Sequence, residues 1–217
     1  MQRRLVAEAL GTFTMIFAGT GAIIVNSMTN ALGHVGVAMT WGLVVMAMIY
    51  SFGHVSGAHM NPAVSIAFWI RGNLERRAVL PYIIAQAFGA FLASGLLRYL
   101  FGNIAHLGAS LPRGTWQQSF VLELLLTMIL MLVILGAAVH EKAIKSFAGV
   151  AIGATIGLEA MFAGPICGAS MNPIRTLAPA IVSGEINDVW IYIISTILGA
   201  IIAVGIDRLL KTKEILT

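Results

Sequence analysis

The sequence predicts an all-α membrane protein with six spanning helices and two re-entrant half-helices, arranged as an inverted repeat. Three observations lead there. The chain has 217 residues, 59% hydrophobic and only 10% charged, with a mean hydropathy of +0.91; a soluble domain is nearer half apolar and a quarter charged. Six apolar stretches approach the roughly 20 residues that a helix needs to cross a bilayer. Two further apolar stretches are too short to cross, and each directly follows Asn-Pro.

The six spans are expected at residues 5–25, 34–53, 79–101, 120–139, 147–162 and 189–209, the fifth being the shortest. The short stretches are 62–70 and 173–182. Proline suits the first turn of a helix, where its missing N–H is not needed, and asparagine before it is a good N-cap. Asn61 and Asn172 therefore start half-helices that open with Pro62-Ala63 and Pro173-Ile174. The order is three spans with one half-helix, then the same again. The halves correspond in detail. EALGTF begins at Glu8 in the first span and ELLLTM at Glu123 in the fourth; Asn61 follows Glu8 by 53 residues and Asn172 follows Glu123 by 49. An odd number of spans per half inserts the second half upside down relative to the first. The chain is thus expected to be one membrane domain with inverted repeats at about 1–110 and 111–217, and such repeats in transport proteins place the site near the midplane.

Basic residues set the orientation. With the N-terminus inside, the inner segments hold Arg3, Arg4, Arg71, Arg76, Arg77, Lys142, Lys145, Lys211 and Lys213, against Arg113 and Arg175 on the outer side. The positive-inside rule then puts both termini in the cytoplasm, in the cell membrane. The first apolar run starts directly after Arg4 and is long enough to span, so no cleaved leader is expected. The pI near 9.6 reflects short lipid-facing loops and implies no nucleic-acid partner. The single cysteine rules out an internal disulfide, and no cluster has metal-ligand spacing, so no metal or cofactor is expected. There is no nucleophile with a base and no phosphate loop, so the chain is not expected to be an enzyme.

Irregular backbone at membrane depth is tolerated where it is buried in protein or lines a watery cavity. Two half-helices entering from opposite faces would meet N-terminus to N-terminus, each end carrying roughly half a positive charge. Their meeting repels protons and metal cations, a selectivity device of aqueous pores. The amides of Asn61 and Asn172 would donate into the same gap and turn a water so that it cannot relay a proton. Glu8 and Glu123 are carboxylates within spans, which costs about 3 kcal/mol on insertion scales, so partners are expected. Their matching places favour accepting N–H groups of the loop before each half-helix, as scaffold and not as proton relay; the alternative is snorkelling to the surface. Arg175, three residues after Asn172, is expected outside the central gap as a fixed cation, the alternative being a surface ion pair.

SGAHMNPAV, GASMNPIR and the paired glutamates resemble the major intrinsic proteins, the aquaporins and aquaglyceroporins, over nearly the whole chain. The resemblance implies a pore through each subunit, a homotetramer, and a filter outside the asparagine pair. Counted from the motifs, that filter falls on Trp41, Ala160, Ala169 and Arg175. Trp-Ala-Ala-Arg, with Tyr192 and Ile193, is similar to the nodulin-like branch. Water-specific members carry a histidine where Ala160 stands, so the mouth is expected to be wider and apolar beside Trp41. The branch implies water, glycerol and small uncharged hydroxides such as boric or arsenous acid. One departure is Ile174, where most members have alanine. It is expected to add bulk beside the central constriction, restricting the pore or altering the packing of the opposed half-helix.

The reading is a passive channel for water and small uncharged solutes, with an ion- or proton-coupled carrier as the alternative. Only asparagines and apolar residues are expected at the pore centre, where a carrier would keep a titratable group. His54 and His59 have poor spacing for a metal, and pore-lining or structural roles are expected. Cys167 would confer mercurial block if its thiol faced the pore. Gly149, Gly153 and Gly157 read as a helix-packing stripe, and the methionines as lipid-facing or core filler.

Overall fold

The computed structural model describes residues 1–210; Lys211 and Lys213, counted above with the inner basic residues, lie outside them. Among the described residues the chain is helical and free of strands. In order the α-helices are α1 (Gln2–Thr29), α2 (Gly33–Ser56), α3 (Pro62–Arg71), α4 (Arg76–Phe101), α5 (Trp116–Ile134), α6 (Ala148–Cys167), α7 (Pro173–Ser183) and α8 (Val189–Leu210). A single π-turn, Leu135–Val139, extends α5. Six of the helices are long and apolar enough to cross a membrane. The two others, α3 and α7, begin at the two Asn-Pro pairs.

The local chemistry explains most boundaries. Asn61 and Asn172 sit extended before α3 and α7, and their side chains accept the N–H of Ala63 and Ile174, so each is an N-cap with proline in the first turn. α2 and α6 both stop at a left-handed glycine, Gly57 (φ 90°) and Gly168 (φ 87°), a conformation that costs a β-carbon-bearing residue. Several boundaries differ from expectation: α1 runs to Thr29 and not 25, α2 to Ser56 and not 53, α4 begins at Arg76 and not 79, α5 at Trp116 and not 120, and α6 departs furthest. The fifth span does not end at 162; α6 continues through Pro165 to Cys167. Proline keeps a helical φ, and its cost falls on the carbonyl four residues earlier, which loses its donor.

Glycines let the helices approach closely. α1 packs along α4 and α5 along α8. A β-carbon on Gly89 would lie 2.1 Å from the Ala9 carbonyl oxygen, and one on Gly199 would lie 2.3 Å from that of Leu124. Ala9 and Leu124 each directly follow one of the paired glutamates, so the two contacts are equivalent. α2 crosses α6 where Gly42 meets Gly153: a β-carbon on either would come within 2.6 Å of the other's carbonyl oxygen. Gly149 faces the Tyr50 ring and Gly157 faces Gly42, so the glycine series is a packing stripe. Each half-helix leans on a span from the other half, α3 on α8 and α7 on α4. This exchange holds both N-termini at mid-height. Large apolar side chains such as Leu80, Ile84 and Phe88 on α4, and Leu158 and Phe162 on α6, point outward, where lipid and not water is the compatible neighbour.

Candidate functional site

The loops before α3 and α7 are built alike. Ala58 (φ 48°) and Met60 (φ 49°) in the first match Ala169 (φ 43°) and Met171 (φ 53°) in the second. Left-handed backbone at non-glycine residues costs of order 1 kcal/mol or more each and persists only where the surroundings impose it. The buried glutamates impose it. Glu8 accepts the backbone N–H groups of His59 (2.9 Å) and Met60 (2.7 Å), the Ser56 hydroxyl (2.7 Å) and the Gln86 amide (2.8 Å). Glu123 accepts the N–H groups of Ser170 (2.8 Å) and Met171 (2.9 Å). Both carboxylates are wholly buried, and each charge-assisted bond contributes about 1.5–3 kcal/mol.

The loops bring the two asparagines together. Asn61 donates from Nδ2 to the Met171 carbonyl (2.7 Å), and Asn172 donates from Nδ2 to the Met60 carbonyl (2.9 Å). Each Oδ1 caps its own half-helix. An amide has two N–H donors, so each asparagine keeps one N–H beyond the cross-link. Both line a central cavity of about 100 Å³.

That cavity is the waist between two larger ones, of about 620 Å³ and about 700 Å³. Trp41, Ala160 and Arg175 line both the waist and the 620 Å³ vestibule, so they form the collar between them. Ala169 lines the waist beside them. Gly57, His59 and Phe68 line both the waist and the 700 Å³ vestibule, at the opposite collar.

Arg175 is held on several sides. Its guanidinium carbon lies 4.7 Å from the centre of the Trp41 ring. Nη1 donates to the Gly108 carbonyl (3.0 Å) and the Ser110 hydroxyl (2.5 Å), and Nη2 donates to the Gly168 carbonyl (3.5 Å). The Thr176 hydroxyl lies 3.1 Å from that of Ser110 and 2.6 Å from that of Ser170, whose oxygen is in turn 2.9 Å from the Asn172 carbonyl oxygen. A hydroxyl chain therefore joins the collar to the central asparagine. The connection between α4 and α5 reaches inward through a left-handed turn at Ala105, His106 and Leu107.

Several expectations change. The waist is not lined only by asparagines and apolar groups: His59, Ser170 and Arg175 are in its wall. The His59 ring stacks on Phe68 at 4.6 Å, and its Nδ1 is 3.1 Å from the Ser65 hydroxyl. Met15, Met60 and Met171 are wall residues and not filler. Pro62, Ala63, Pro173 and Ile174 are buried at the half-helix starts but outside the lining of the waist. Ile174 belongs to the packed core, because the cap turns the second helical residue away from the lumen. Cys167 is fully buried with its thiol on the Ala163 carbonyl, away from the cavity. His54 lines the 700 Å³ vestibule, and no metal-binding group of side chains exists among the described residues. His59 and Ser170 were legible as matching positions of the two motifs; Ser110, 65 residues from Arg175, carried no signal.

The family model described as Major intrinsic protein matches residues 1–206. The chain is 46% identical over 201 residues to "Aquaporin NIP1-1" of Zea mays, covering 92% of this chain and 71% of that one. It is 44% identical over 214 residues to "Nodulin-26" of Glycine max, covering 98% and 79%. It is also similar to the solved structure of an aquaglyceroporin from Plasmodium falciparum, with a TM-score of 0.83 at 27% identity and 94% of each chain covered. The chain belongs to the major intrinsic protein family.

Proposed function

We propose that this protein is a passive channel for water and small uncharged solutes, glycerol among them, that turns back protons and ions. The observation that carries this is the cross-linked asparagine pair at the meeting point of α3 and α7. A water at the waist meets two N–H donors and two positive half-helix ends. It accepts from both asparagines, so its own hydrogens point away from the waist and no proton wire crosses it.

The collar of Trp41, Ala160, Ala169 and Arg175 acts as the filter. The guanidinium supplies donors for a hydroxyl and a fixed charge against cations. Trp41, against which the guanidinium stacks, and the methyl of Ala160 complete the collar with weakly polar surface. That combination suits a molecule with hydroxyls on one side and carbon or a neutral metalloid on the other, which extends the solute class to boric and arsenous acid. Glu8 and Glu123 act as scaffold for the two loops. The face bearing the N-terminus is the cytoplasmic one, and the apolar outer surface is shared between lipid and the neighbours of a homotetramer.

The test is stopped-flow measurement in proteoliposomes with water, glycerol and boric acid. Flux above bare lipid, with a low activation energy and no driving ion, is the expected result. Accumulation against a gradient would show a carrier, and flux no faster than bare lipid would refute transport.

A further inference from the structure

Pro165 lies inside α6 and has no N–H to return to the Met161 carbonyl, four residues earlier. That carbonyl is taken across the helix interface: Nε2 of His34, in the first turn of α2, lies 2.6 Å from it. A carbonyl only accepts, so Nε2 carries the proton. Gly164 leaves room for the ring, since a β-carbon there would sit 3.3 Å from His34 Cε1. His34 and Gly164 line the 620 Å³ vestibule together with Trp41 and Ala160.

The position gives this bond leverage. His34 precedes Trp41 by two helical turns on one face of α2, and Met161 adjoins Ala160. The helices touch backbone to backbone at Gly42 and Gly153, and their outer ends extend past that contact on either side of the collar. We propose that His34 is a positioning residue for the filter: its bond to Met161 pins the ends of α2 and α6. It thereby fixes the gap between Trp41 and Ala160 and the largest solute that passes. The proposal rests on the channel reading above.

The experiment compares wild type with His34→Gln, His34→Leu and His34→Ala in proteoliposomes, reading the ratio of erythritol to water permeability. Wild-type water flux above bare lipid tests the channel reading first, so failure there is separate from failure among the variants. Glutamine keeps a donor near the place of Nε2, whereas leucine keeps the volume without a donor. His34→Leu and His34→Ala are expected to raise the ratio about threefold or more, as befits one lost inter-helix hydrogen bond, and His34→Gln to retain the wild-type ratio. An unchanged or lowered ratio in His34→Leu overturns the proposal. So does a His34→Gln protein shifted as far as His34→Leu. If the alanine variant does not fold, the leucine and glutamine pair decides alone.

Discussion

Arg175→Val tests the filter most directly. The guanidinium lies against the Trp41 ring in the collar, its carbon 4.7 Å from the ring centre, so a monovalent cation crossing the collar beside it comes within about 5 Å of the charge. At an effective dielectric of about 20, the repulsion is about 3 kcal/mol, which is roughly a hundredfold in rate. The substitution removes this barrier and leaves the half-helix ends in place. Cation leak should therefore rise by up to about that factor, while the asparagine pair still blocks most proton flow. Gly108 and Gly168 lose a donor, and Ser110 keeps only Thr176, so stability should fall by about 1–3 kcal/mol. The assay is sodium and proton flux in proteoliposomes with an internal dye, beside water and glycerol permeability and thermal unfolding in detergent. A folded variant with unchanged ion leak and unchanged solute ranking would refute the reasoning.

Three further outcomes are expected. Ala160→His places a ring opposite Trp41 and should lower glycerol permeability by about tenfold while sparing water; undiminished glycerol flux would contradict the collar assignment. Ile174→Ala empties a packed site outside the waist, so it should cost about 2 kcal/mol or more in thermal unfolding and leave water flux unchanged. A clear rise in water permeability would return Ile174 to the lumen wall. Mercuric chloride should leave flux intact, because Cys167 is fully buried with its thiol on the Ala163 carbonyl; a block abolished by Cys167→Ser would place the thiol within reach of the pore.

The elements themselves were legible in the chain because their causes are local. Spans follow from runs of apolar residues, and α3 and α7 from Asn-Pro, where a side-chain cap and a missing N–H act within three residues. The equivalence of Glu8 and Glu123 and the places of Asn61 and Asn172 followed from the repeat, and that of Arg175 from its spacing to Asn172. Which way each side chain turns was settled elsewhere. Ile174 and Cys167 sit in or beside the motifs, yet both are packed away from the waist. His59 and Met60 face it. Ser110 reaches Arg175, and His34 reaches Met161, across connections of 65 and 127 residues. Capping and hydropathy are decided between near neighbours. The lumen exists only where glycines bring helices from different parts of the chain into backbone contact, and that approach selects which atoms meet.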